Sequence, residues 1–122
     1  MAVALDSVAT WLTGKGISNV LVNWMPDTPN AVVVLSASGG APVMDATFDN
    51  QYVHVRCRAA TDEAAEALAL SVHSLLKLVG GITMGSTFVL QAMSATGPPA
   101  YLLRDVDQRT TYFASYSFVT PF

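Results

Sequence analysis

The sequence predicts an α+β fold: a mainly antiparallel sheet with helices packed on one face, an α/β sandwich built by residues 1–122 as a single domain. Three observations lead there. Residues 51–59, QYVHVRCRA, alternate strictly, with Val53, Val55, Cys57 and Ala59 on one side and Tyr52, His54, Arg56 and Arg58 on the other, which is the period of a half-buried strand. Immediately afterwards Leu68, Val72, Leu75, Leu76 and Val79 recur at helical spacing, with Glu63, Glu66, His73, Ser74 and Lys77 towards the other side. The order of elements, helix then strands then helix then strands, favours helices on a mostly antiparallel sheet.

The elements follow in order. Ala2 to Leu12 carries Val3, Leu5, Val8, Ala9, Trp11 and Leu12 at amphipathic helical spacing, and Gly14 or Gly16 ends it. Asn19 to Trp24 reads as a strand. Met25 to Asn30 holds Pro26 and Pro29, which exclude regular pairing and mark a rigid loop. Ala31 to Ser36, with Val32-Val33-Val34-Leu35 unbroken, is a strand that needs cover on both faces and belongs centrally in the sheet. Ser38 to Pro42 is a turn, and Val43 to Asn50 reads either as a short edge strand or as an extended loop.

Thr61 is placed to cap the long helix, with Asp62 and Glu63 where the helix dipole favours negative charge, and Gly80-Gly81 is its expected stop. Ser86 to Ser94 is strand-like, with Phe88, Leu90 and Ala92 opposite Thr87, Val89 and Gln91. Residues 96–99, TGPP, break it. Tyr101 to Arg104 is a short extended piece and Asp105 to Gln108 a polar turn. Arg109 to Thr120 is a long strand with Tyr112, Ala114, Tyr116 and Phe118 on one side.

Composition narrows the function classes. At 122 residues the chain can bury roughly two-thirds of the surface it exposes when unfolded. Cys57 is the single cysteine, so no internal disulfide forms, and its place on the apolar strand face makes it a buried, inert thiol. The amino terminus has no basic region ahead of its short apolar run, so no secretory signal is expected. Lys77 and Arg104 bracket 26 uncharged residues, but the glycines, Gln91 and Pro98-Pro99 among them suit two soluble strands and a loop rather than a membrane span. A net charge of −3 argues against general nucleic-acid binding. Charged residues make up only 12% of the chain, about half the usual share, so partners are expected to cover much of its surface.

No catalytic pattern emerges. Residues 80–86, GGITMGS, have glycines at phosphate-loop spacing, but Ser86 replaces the lysine and a helix precedes where a strand is needed. Gly14-Lys15-Gly16 follows a helix and precedes a strand, the reverse of a dinucleotide site. Asp105 and Asp107 alternate as in a calcium loop, yet Arg109 occupies the third ligand position. His54 and His73 have no ligand partners at a recurrent spacing, so no metal, cofactor or enzymatic activity is expected.

The candidate contact surface is the cationic strand face of His54, Arg56 and Arg58, together with Arg104, Asp105, Asp107 and Arg109. Arginines on one strand face need acceptors, and their planar forks suit carboxylates of the same or a neighbouring subunit. A solvated strand face is the plainer reading of the same residues.

Taken together, PNAVVVLSASGGAP, VHVRCRAATDEAAEALALSVHSLL and YLLRDVDQRTTYFASYSF resemble the small minor capsid or tail terminator proteins of long-tailed bacteriophages over nearly the whole chain. The resemblance implies an α/β-sandwich subunit of a homo-oligomeric ring, typically a hexamer, that caps the tail tube and faces the head-tail connector or stopper protein. It also implies a place in the virion after synthesis in the host cytoplasm, with DNA passing through the ring. The ring reading favours a neighbouring subunit as the source of carboxylates for the arginines. The competing readings are a head completion or stopper protein of the phage neck, another neck or tail ring, and a monomeric small-molecule binding module.

Overall fold

The computed structural model describes residues 3–39 and 48–121. Two helices, α1 (Leu5–Gly14) and α2 (Asp62–Leu76), accompany seven strands: β1 (Val20–Val22), β2 (Val32–Ser38), β3 (Phe48–Ala59), β4 (Leu78–Met84), β5 (Thr87–Ser94), β6 (Ala100–Arg104) and β7 (Thr110–Pro121). All seven join one sheet in the order β1-β2-β3-β7-β5-β4, with β6 also on β7. Only β1 and β2 run parallel; the other pairings are antiparallel, so the fold is α+β as the sequence predicts.

The centre of the sheet is the twelve-residue pair β3 and β7. Residues directly opposite in an antiparallel pair share a face. The register Val53↔Tyr116, Val55↔Ala114 and Cys57↔Tyr112 therefore sets the apolar side of both strands toward the helices. Tyr116 and Phe118 are fully buried there, with Val8 and Leu12 of α1 and Val72 and Leu76 of α2 in the same core. Burial pushes the Cys57 thiol up to about 12, which leaves it protonated and unreactive at neutral pH. β2 is covered on both sides, Val32 to Leu35 being fully buried, but it lies one strand in from the β1 edge rather than at the centre. Of the ambiguous stretch from Val43 to Asn50, Phe48 to Asn50 belong to β3; the remainder, and the turn expected beyond Gly39, fall outside the described residues.

The structure corrects the sequence reading at the end of the long helix. α2 starts where expected, the Thr61 hydroxyl accepting from the Ala64 N–H at 3.2 Å, but it ends at Leu76, and Leu78–Met84, which contains Gly80-Gly81, is a strand. The two glycines serve a bend rather than a stop. A Cβ on Gly80 would meet the Leu90 carbonyl oxygen at 3.0 Å, and Gly81 has φ +66, a left-handed conformation that side chains resist. Across this point the core-facing parity of the β4-β5 ribbon switches. Val79 pairs with Ala92, and Ile82 pairs with Val89, yet all four pack in or against the core. The expected alternation of β5 fails for the same reason, and Phe88 is exposed while Val89 is buried. Gly85, φ +62, then opens the two-residue turn into β5, where a positive φ matches strand twist.

α1 touches β1, β2 and β4, so it spans the two far ends of the curled sheet. A Cβ on Gly85 would lie 2.2 Å from the Ser7 hydroxyl oxygen, which shows how closely the β4-β5 turn approaches α1. Leu76, fully buried, and Leu75, only partly so, should differ on truncation. Leu76→Ala is expected to cost about 2–5 kcal/mol and Leu75→Ala less, with Lys77→Ala near wild type. Denaturant midpoints of the three variants check this, and equal losses at 75 and 76 would contradict the placement of α2.

Candidate functional site

The outer face of the sheet, away from the helices, carries His54, Arg56 and Arg58, while Arg104, opposite Thr110, lies on the helix side against α2. Register places Tyr52, His54, Arg56 and Arg58 of β3 beside Ser117, Ser115, Phe113 and Thr111 of β7. His54 lies between two hydroxyls, with Nδ1 2.6 Å from the Ser115 Oγ and Nε2 3.0 Å from the Ser38 Oγ, and its ring stacks on Phe113 at 5.9 Å. That arrangement holds the imidazole as a fixed polar strut.

Arg58 is buried, and its partners lie in its own chain. Nε donates to the Asn30 carbonyl at 3.1 Å, and Nη2 donates to the carbonyls of Pro29 at 2.7 Å and Asp27 at 3.4 Å. Arg109 donates to the same Asp27 carbonyl, pairs with Asp105 at 2.8 Å, and lies 3.4 Å from Asp107. The two guanidiniums thereby pull the loop between β1 and β2, with its cis Thr28-Pro29 bond, down onto the outer face. Desolvation and the neighbouring Arg109 lower the Arg58 pKa.

Asp105 organises the turn between β6 and β7 by accepting from the N–H groups of Asp107 and Arg109, both at 2.9 Å. Desolvation pushes the Asp105 carboxyl up, but the bonds from Arg109 outweigh it and hold the group below its usual range. Arg104 pairs with neither Asp105 nor Asp107. It bonds both oxygens of Asp62 at 2.8 Å, and Thr110 donates its hydroxyl to the same carboxylate, which ties the first turn of α2 to β6 and β7. The bonds from Thr110 and then Arg104 lower the Asp62 pKa. Because the folded value lies below the unfolded one, this contribution is complete above the ordinary carboxylate range and is lost as pH falls through the folded pKa. Asp62→Asn should therefore flatten the acid limb of a melting-temperature profile between about pH 5 and 2; an unchanged limb would contradict the assignment.

The acceptors of Arg58, Arg104 and Arg109 are thus supplied within the subunit. The expectation that a neighbour supplies them holds open only for Arg56, which makes no hydrogen bond or ion pair among the described residues. Arg56 borders a pocket of about 140 Å³ lined by Met25, Leu102, Leu103, Arg58, Asp105 and Thr111. The leucines reach it through a bulge. Tyr101 pairs with Tyr112 and Leu103 with Thr111, so Leu102 is an extra residue in β6, and a bulge re-aims side chains in this way. Leu102, Leu103, Trp24 and Val106 are all exposed, Trp24 at 65% and Val106 at 93%.

Met25, Leu102 and Leu103 escaped the sequence reading, as did the roles of Asp27 and Asp62. A signal for the leucines was present in AYLLR, three consecutive large apolar residues in a piece too short to bury both faces. For the loop carbonyls there was none, because backbone acceptors carry no sequence signature. Among the described residues no cluster of His, Cys, Asp or Glu could hold a metal ion, and no helix is long and apolar enough to cross a membrane.

An α+β subunit whose outer face presents apolar side chains around an arginine with no partner among the described residues has the chemistry of a protein-protein contact, where Arg, Trp and Met are enriched. A family model described as bacteriophage tail terminator protein matches residues 6–120, and the chain belongs to that family. It is accordingly a structural protein of the phage tail. A search of curated proteins found no match to the chain.

Proposed function

We propose that this chain is the single-domain subunit of a homo-oligomeric ring, a hexamer, that caps the finished tail tube and presents its other face to the head-tail connector or stopper protein. The ring acts by contact alone, without catalysis, and DNA passes through it without sequence readout. Its place is the neck of the virion, after synthesis in the host cytoplasm.

The observation that carries this reading is the outer-face patch around Arg56, where Leu102 and Leu103 are left exposed beside a half-buried Met25 in a chain with few charges. Contiguous exposed apolar surface is costly for a solitary subunit and marks interaction sites. A closed ring needs two different surfaces that fit each other.

Light scattering of the purified protein is expected to give a particle several times the 12.9 kDa chain mass. Leu102→Asp with Leu103→Asp should leave the circular dichroism of the subunit unchanged and weaken assembly by about tenfold or more, the effect of losing a central contact. A monomer at every concentration, together with full activity of the double variant in a tail-joining complementation assay, would overturn the ring.

A further inference from the structure

The surface that receives the outer-face patch can be found by asking which charges remain unspent. Of the described carboxylates, Asp27, Asp105 and Asp107 face Arg109, Asp62 holds Arg104, and Glu66 meets the Tyr112 hydroxyl; Asp49 is also engaged. Asp6 and Glu63 are the two described acids whose side chains have no partner. Glu63 follows Asp62 on the first turn of α2, which Arg104 and Thr110 tie to the patch's own end of the subunit. Asp6 lies elsewhere. It stands in the first turn of α1 at an open groove of about 650 Å³, lined otherwise by Ala9, Thr10, Thr13, Gly14 and Val20.

This groove has the complementary character. Its walls are small side chains, with no bulky group filling it, and its one charged lining residue is an acid. The threonine hydroxyls are already satisfied, Thr10 donating to the Asp6 carbonyl and Thr13 to the Ala9 carbonyl, both at 2.9 Å, so they add no unmet polar demand when apolar atoms cover them. The groove belongs to α1 and the β1 edge, on the helix side of the sheet, whereas the patch is on the outer face beside β6. Two different surfaces on different sides of one subunit define a head-to-tail contact, which can close into a ring where an isologous pair would stop at a dimer.

We infer that Leu102 and Leu103 of one copy seat in the α1-β1 groove of the next copy, with Arg56 of the first paired to Asp6 of the second. This pairing rests on the ring reading above, and it assigns both sides of the subunit contact. Arg56 gains the carboxylate it lacks, in the planar geometry that its fork suits. The exposed apolar edge at β6 is covered at the same time.

The test is a charge swap read by sedimentation velocity, with circular dichroism as the control for folding. Asp6→Arg alone and Arg56→Asp alone should each lower the assembled fraction at least tenfold, and the two together should restore it. Independently, Leu103→Cys mixed with Thr10→Cys should form an intersubunit disulfide on mild oxidation, while neither variant does so alone, Cys57 being buried. If the wild type assembles but neither single reversal weakens it and no crosslink forms, the pairing is overturned and the ring stands. If the wild type stays monomeric and no crosslink forms, both are overturned.

Discussion

Phe118→Ala is expected to lower the unfolding free energy by about 3–5 kcal/mol, while Phe88→Ala changes it by no more than about 0.5 kcal/mol. The two side chains are the same and their surroundings are opposite. Phe118 is fully buried on the core side of β7, the strand that pairs with β3, β5 and β6, so its loss opens a cavity that neighbouring strands cannot close. Phe88 lies on the solvent side of the β4-β5 ribbon and is 44% exposed. Urea denaturation of the two variants measures the difference. Equal losses would mean that the parity switch at Gly80-Gly81 is misplaced, since the expected alternation of β5 would put Phe88 on the same side as buried Ala92.

Arg58→Met is the second large effect, an expected loss of about 2–4 kcal/mol despite the similar length of the two side chains. The carbonyls of Pro29 and Asn30 accept from this guanidinium, and that of Asp27 accepts from it and from Arg109; hydrogen bonds to a charged group are each stronger than neutral ones. Methionine fills the space but donates nothing, so the partly buried bonds to Pro29 and Asn30 are lost and the Asp27 carbonyl keeps only Arg109. Arg58→Lys should recover only part of the loss, because one ammonium cannot reach three acceptors spread along a loop. Arg56→Met, two residues earlier on the same strand face, should leave stability within about 0.5 kcal/mol. The contrast separates a cation that builds the subunit from one left available for a partner. A denaturant midpoint for Arg58→Met equal to that of the wild type would show that the loop is held by other contacts.

One partly buried polar contact adds a pH dependence. His73 on α2 has Nδ1 2.9 Å from the hydroxyl of buried Tyr116, and desolvation, then Lys77, lowers its pKa. The folded value lies below the unfolded one, so the neutral ring's contribution is complete above the ordinary histidine pKa of about 6.5 and is lost as pH falls through the folded value. His73→Gln should blunt the loss of melting temperature on moving from about pH 7 to pH 5. The same slope in both proteins would place the titration elsewhere.

What the sequence determined by itself is what local chemistry settles. Strict alternation in 51–59 assigns that strand and its core face, and alternation in 109–120 assigns a second strand and its two sides, because successive side chains on a strand must point opposite ways; that these two are the central pair came from the pairing. The Thr61 cap and the acids after it define where α2 starts, since a free backbone N–H needs a nearby acceptor. The family's resemblance, too, was carried by these local runs. Only the tertiary structure decided where α2 ends, because Leu78 to Met84 can continue a helix or pair with β5, and the pairing wins through contacts that lie up to 15 residues away, from Leu78 to Met93. It likewise decided which arginine remains available. Arg56 and Arg58 are equivalent by period and side, yet loop carbonyls reach one and not the other. Backbone acceptors are the same at every residue, so no side-chain pattern reveals where a distant loop will bring them.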